Sequence, residues 1–127
     1  MTKRKAWIPD NKAVVRFVRT TFKLMFPFGE KMAEAEPHDR DGSAREHLLL
    51  ALDSLADEKE KITADFLEIL PELKKTLLRD AEFILESDPA ATQLIEVVAV
   101  YPGFFAIFCY RIAHSLAGYG VPLLPRM

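Results

Sequence analysis

Residues 88–120 read DPAATQLIEVVAVYPGFFAIFCYRIAHSLAGYG, and this stretch decides the fold. Asp88 offers a side-chain oxygen for an N-cap. Pro89 suits the first helical position, where its missing N–H would be unpaired anyway. Together they predict a helix reaching about Val100. Pro102-Gly103 breaks it, and a second helix is expected from Gly103 to about Ala117, with Gly118 or Gly120 as its left-handed stop. Phe104, Phe105, Phe108 and Tyr110 surround most of that second helix, so core or interface must cover it. Cys109 shares a face with Phe105, Ile112 and Leu116. It reads as a buried structural thiol, because no nearby cation or helix N-terminus lowers its pKa. Arg111 and His114, three residues apart, share a face and read as surface or interface polar groups.

Upstream of this stretch the chain is helical in pattern throughout. Asp10 is placed to cap a helix over about 11–26, whose apolar face is Val14, Val18, Phe22 and Met25, ended by Pro27 and Gly29. A polar connector follows to Gly42. Ser43-Ala-Arg-Glu46 has the form of a capping box and predicts a helix to about Lys59 that buries Leu48, Leu49, Leu52 and Leu55. A third helix is expected from near Thr63, carrying Phe66, Leu67 and Leu70. Pro71 either kinks it or opens a fourth helix, ending near Glu86, with Leu73, Leu77, Leu78, Phe83, Ile84 and Leu85. No strand alternation, hairpin dipeptide or repeat interrupts this pattern. The fold class is therefore all-α, a bundle of five to seven helices. It divides into a basic amphipathic segment (1–29), a polar connector (30–42), acidic helices (43–86), junction helices (87–120) and the start of a link (121–127). The closing VPLLPRM, apolar with two prolines, reads as a cut through a continuing polypeptide.

Half of the 127 residues are apolar and 28% are charged, the composition of one globular domain with a real core. The net charge of −2 hides an asymmetry. Residues 1–29 carry Lys3, Arg4, Lys5, Lys12, Arg16, Arg19 and Lys23 against Asp10 alone, and residues 30–96 are acidic. Such an arm can dock on a membrane, a nucleic acid or an acidic protein surface. Its helical interleaving with apolar residues favours an ordinary solvated helix face, with no nucleic acid implied. One cysteine excludes an internal disulfide and fits a reducing cytoplasm. Arg16, Arg19 and Lys23 interrupt the early apolar run, which argues against a signal peptide. Glu96, Arg111 and Pro102-Gly103 argue against a membrane span over 94–113. His38, His47 and His114 lie far apart, so no metal site is expected. His38-Asp39-Arg40-Asp41 reads as a solvated loop. There is no glycine-rich phosphate loop and no nucleophile elbow.

The junction segment resembles that of the serine O-acetyltransferase family. The family reads Asp-Pro-Ala, an apolar helix, Gly-Phe-His-Ala or Gly-Leu-His-Ala, then Tyr-Arg-Ile-x-His. Here the matches are Asp88-Pro89-Ala90, Gly103-Phe104, Ala106 and Tyr110-Arg111-Ile112-Ala113-His114, followed by Leu116 and Gly120. Phe105 departs from the pattern, standing where the family usually has histidine, so no polar role is carried over to it. The resemblance implies a helical N-terminal domain that precedes a left-handed parallel β-helix absent from this chain. It implies transfer of acetyl from acetyl-CoA to the L-serine hydroxyl in cysteine synthesis. The general base and the acetyl-CoA groove lie in the missing β-helix, so no catalytic residue and no bound cofactor are expected here. One substrate-binding residue is implied, Asp88, whose carboxylate suits a substrate ammonium or hydroxyl; read from the residues alone, Asp88 is an N-cap. Pro89, Gly103, Tyr110, Arg111 and His114 carry over as structural or interface positions. The resemblance further implies trimers or hexamers, and contact with the next enzyme of cysteine synthesis through the missing C-terminus. Two other readings compete: a stand-alone helical interaction module, and a peripheral membrane protein anchored by helix 11–26.

Overall fold

The computed structural model describes residues 11–27, 32, 34, 36, 37, 39, 41–52 and 58–119. Among them are six α-helices and no strand: α1 (Asn11–Met25), α2 (Ser43–Ala51), α3 (Lys59–Glu68), α4 (Leu70–Ser87), α5 (Leu94–Val100) and α6 (Pro102–Gly118). The expected all-α bundle is what forms. Asp10, Gly29, His38, Arg40, Leu55 and Gly120, together with the 121–127 link, lie outside the described residues.

The helices pack in two groups. In the first, α1 lies on α2 and α2 on α3; in the second, α4 lies on α5 and α6. One hydrophobic core runs through both groups. On α1 the buried positions are Ala13, Val14, Phe17, Thr21 and Met25. The expected stripe through Val18 and Phe22 is thus rotated: both flank the core and are only partly buried. Phe22 still joins the two groups. Its ring meets Phe108 at 4.9 Å and Phe105 at 5.4 Å, both edge to face, and lies 5.4 Å from Phe26. Edge-to-face pairs contribute about 0.5–1.5 kcal/mol each beyond area burial. On α6 the buried row is Phe104, Phe108, Ile112 and Leu116, spaced by four. The buried positions of α1 face the core, while Val15 stays exposed on its outer side.

Several boundaries differ from the sequence expectation, each for a local reason. Ser43 is the first residue of α2 and does not cap it; the N-cap is Gly42 at φ 75°, a conformation glycine adopts without steric cost. Asp41 Oδ1 instead accepts from the Ser43 N–H (2.9 Å), while Asp39 accepts from Ala44 (3.0 Å) and Arg45 (2.9 Å). The hydrogen bonds from Ser43 lower the Asp41 pKa. The second helix stops at Ala51, well short of Lys59. Thr63 lies inside α3, where its hydroxyl donates to the Lys59 carbonyl at 2.7 Å. Pro71 opens α4 after a one-residue break at Ile69. Helix α6 ends on Tyr119 at φ −94°, with Gly118 still helical, so the expected left-handed glycine stop is not formed there.

Lys74, on α4, is 4% exposed. Its Nζ donates to the Met32 carbonyl at 2.6 Å and sits over the Phe26 ring at 5.7 Å. Burial pushes its pKa down. The lysine thereby ties the connector to the second helix group. No single described helix is long and apolar enough to cross a membrane; α5 and α6 reach that length only together, across a 75° bend.

Candidate functional site

The turn between α4 and α5 holds Asp88. Its backbone is extended (φ −111°, ψ 109°) and closes α4 by donating its N–H to the Ile84 carbonyl at 3.0 Å. The Asp88 carbonyl accepts from the Ala91 N–H at 3.1 Å, and its Oδ1 accepts from the Ala90 N–H at 2.9 Å. This is an Asx-turn inside a β-turn, with Pro89 at the corner where its fixed φ belongs. Helix α5 starts only at Leu94, with Gln93 as its N-cap. Asp88 is therefore the C-cap of α4 and not the N-cap of α5, and Pro89 is not a first helical residue. The carboxylate is half-buried, one of its oxygens used by its own turn.

The elbow between α5 and α6 comes back to this turn. Tyr101 is the single residue joining the two helices: its N–H donates to the Val97 carbonyl (3.3 Å) and its carbonyl accepts from Phe104 (3.1 Å). Its phenol is pushed above the ordinary tyrosine value, first by burial, then by Asp88 and by the charge of Glu96. The Thr92 hydroxyl lies 3.3 Å from Glu96 Oε2. The half-buried Asp88 carboxylate, beside the exposed Pro89-Ala90 corner, keeps acceptor capacity that suits an ammonium or a hydroxyl group.

The remaining junction residues separate. Arg111 places Nε and Nη2 on the two oxygens of Asp80, the second bond being 2.8 Å, and so clamps α6 to α4. The hydrogen bond to Asp80 raises the Arg111 pKa further. Gly103 is exposed near the start of α6, and a Cβ there would meet no other atom of this chain within 4 Å. Tyr110 is 65% exposed and stacks on His114, ring centres 5.9 Å apart. Arg111 and His114 therefore do not act together. Cys109 is half-buried and burial raises its thiol pKa, in keeping with an inert side chain. Phe105 packs on Phe22 and Phe108 with apolar contacts. Asp80 and Tyr101 went unmarked in the sequence. Asp80 is 31 positions from its partner, and only the position of Tyr101 just before the Pro-Gly break could have drawn notice.

The chain has relatives among serine acetyltransferases. Over 53 residues the chain is 47% identical to a serine acetyltransferase of Synechococcus elongatus, covering 42% of this chain and 22% of that protein. The plasmid serine acetyltransferase of the same organism is 38% identical over 73 residues, covering 58% of this chain and 23% of the relative. The Helicobacter pylori serine acetyltransferase is 51% identical over 35 residues, 28% of this chain and 20% of that protein. The chain spans about a fifth of the length of the curated relatives it matches. No family model matches it. The chain is related to serine acetyltransferases through this partial segment.

Proposed function

We propose that this chain is the helical N-terminal part of a serine O-acetyltransferase, which moves acetyl from acetyl-CoA to L-serine in cysteine synthesis. The observation that carries the reading is the 38–51% identity to three serine acetyltransferases from two organisms over a limited stretch. Asp88 supplies a substrate-side carboxylate, and that side chain is free of the N-capping duty that would otherwise explain it. Acetyl-CoA and the general base belong to a β-helical partner domain, so the helices alone bind no acetyl-CoA. The helices also supply contacts between copies in a trimer or hexamer. Phe83, Val100 and Tyr110, at 70%, 69% and 65% exposed, are large apolar side chains that such contacts would cover. Contact with the next enzyme of the pathway falls to the partner domain, and the cytoplasm is the fitting compartment for a chain with one unpaired thiol.

The test joins the whole 127-residue chain, in place of the matched segment, to the rest of the 47%-identical Synechococcus enzyme. Serine-dependent release of CoA is expected from the chimaera, and no heat of acetyl-CoA binding from the 127 residues alone. A chimaera that folds and binds acetyl-CoA but releases no CoA with serine overturns the reading. So does micromolar acetyl-CoA binding by the isolated chain.

A further inference from the structure

We infer that the outer side of α1 is a docking ridge for an anionic bilayer surface, which it meets through Lys12, Arg16, Arg19 and Lys23. All four residues are exposed, and α1 contains no acidic residue. They follow one another at steps of four, three and four positions. At about 100° per residue they fall within a sector of about 60° and form one row about 16 Å long. The opposite side of the helix, with Ala13, Val14, Phe17, Thr21 and Met25, is fixed in the core, so the row points outward. Among the described residues no acid pairs with Arg16, Arg19 or Lys23. Neighbours in the row are like charges at i,i+4 or i,i+3, which weakens a helix, so folding does not account for them.

The form of the row selects its partner. Cations at one height along a straight edge meet a flat sheet of anionic headgroups together, and each adds attraction near that surface. A nucleic-acid groove has phosphates on both walls and calls for cations on both flanks of an entering helix. The flanks of this row carry Val15 on one side and Thr20 on the other, the latter 3.3 Å from His47 Nδ1. A protein partner builds its contact around an apolar, charge-poor centre. Beside this row Val15, 43% exposed, is the only exposed large apolar side chain on α1. The ten residues ahead of α1 add Lys3, Arg4, Lys5 and Trp7, a composition suited to the same headgroup region. The contact is one of charge: α1 keeps its apolar side in the core and does not insert. Because the whole chain has a net charge of −2, its remaining residues oppose the contact and make it strongly salt-dependent.

Co-sedimentation of the 127-residue chain with vesicles reads this directly. The vesicles are phosphatidylcholine with about one-third phosphatidylserine, beside phosphatidylcholine alone. Binding is expected on the anionic vesicles only, and should be lost as salt rises from about 0.05 to about 0.5 M. Arg16→Gln together with Arg19→Gln should lower the partition roughly fivefold per charge, about twenty-fivefold in all. Arg16→Lys with Arg19→Lys should keep it, since the row acts by charge. These side chains are exposed, so every variant should melt no lower than the parent. Arg79→Gln, an exposed cation on α4, should bind like the parent. Equal binding to both vesicle types overturns the inference, as does binding that survives Arg16→Gln, Arg19→Gln and Lys23→Gln together. A loss in Arg79→Gln as large as in Arg16→Gln reduces the effect to net charge and overturns the ridge. Absence of vesicle binding at low salt also overturns it, whether the chain then retains duplex DNA or self-associates through the same arginines.

Discussion

Asp39 and Asp88 occupy similar sequence settings, each in a polar break ahead of a helix, yet the fold uses them differently. Asp39 puts both carboxylate oxygens on backbone N–H groups at the start of α2, where four amides lack intrahelical partners. Asp88 sits six residues ahead of α5, and its side chain holds its own turn, at Ala90. The first carboxylate is consumed by folding. The second keeps acceptor capacity at an exposed corner. An aspartate near a helix start is thus explained by capping only when its oxygens reach the helix amides, and an aspartate that does not reach them is open to a ligand.

The largest expected effect probes the open member of the pair. In the chimaera, Asp88→Asn should raise the KM for serine about ten- to a hundredfold, the loss of a charge-assisted hydrogen bond of roughly 1.5–3 kcal/mol. Acetyl-CoA binding should stay nearly intact. Serine kinetics unchanged by this substitution would return Asp88 to a purely local turn role and erase the contrast with Asp39.

Asp39→Ala comes next and should act on stability alone. Two helix amides lose their acceptor, at a cost of about 1–2 kcal/mol, which for a domain of this size lowers the melting temperature by about 5 °C. Asp39→Asn should recover only part of this, since one oxygen cannot serve two divergent N–H groups. Thermal unfolding by circular dichroism reads both variants, and an Asp39→Ala melting curve equal to the parent's would mean the cap is idle.

Ionisation of the tyrosines tests how strongly the Asp88 charge acts on Tyr101. Tyr119 is also raised, first by burial and then by Asp65 and Glu68, so it serves as an internal reference. For Tyr101, burial acts first and Asp88 second, so in Asp88→Asn the midpoint should fall yet remain above 10.0. The sign of the linked stability follows. A phenol whose folded pKa is raised adds stability that is fully present below its unfolded value near 10 and lost as pH rises through the folded midpoint. Removing the Asp88 charge narrows that gap, so alkaline unfolding should depend on pH less steeply in Asp88→Asn than in the parent.

Much of the fold was legible because apolar spacing and proline placement are local. The α6 row from Phe104 to Leu116, the break at Pro102 and the opening of α4 at Pro71 all follow from such signals. The helix starts were not. Asp41 takes the Ser43 amide, Asp39 takes the Ala44 and Arg45 amides, and the left-handed Gly42 is the N-cap in place of the expected Ser43. Asp88 misled for the related reason that Asp-Pro suits an Asx-turn as well as an N-cap, and residues 91–93 remain outside the helix that follows. The Arg111–Asp80 pair depends on which helices become neighbours, and sequence spacing carries no record of that.

The smallest expected effect is the one that most directly separates the two aspartates. Asp88→Ala removes the acceptor for the Ala90 N–H, and that bond is exposed, so water replaces it. No helix amide is left without its partner, because α5 takes Gln93 as its N-cap and its first intrahelical bonds run to the Gln93 carbonyl. The cost to stability should therefore stay within about 0.5 kcal/mol, and Asp88→Ala and Asp88→Asn should melt together. A cap at Asp88 would instead make the alanine variant less stable than the asparagine variant by about 1 kcal/mol, since asparagine caps nearly as well as aspartate. Denaturant unfolding of the two variants beside Asp39→Ala distinguishes these outcomes. A fall in Asp88→Ala as large as that in Asp39→Ala would show that both aspartates serve the helices, and would leave the family resemblance as the only support for a substrate contact.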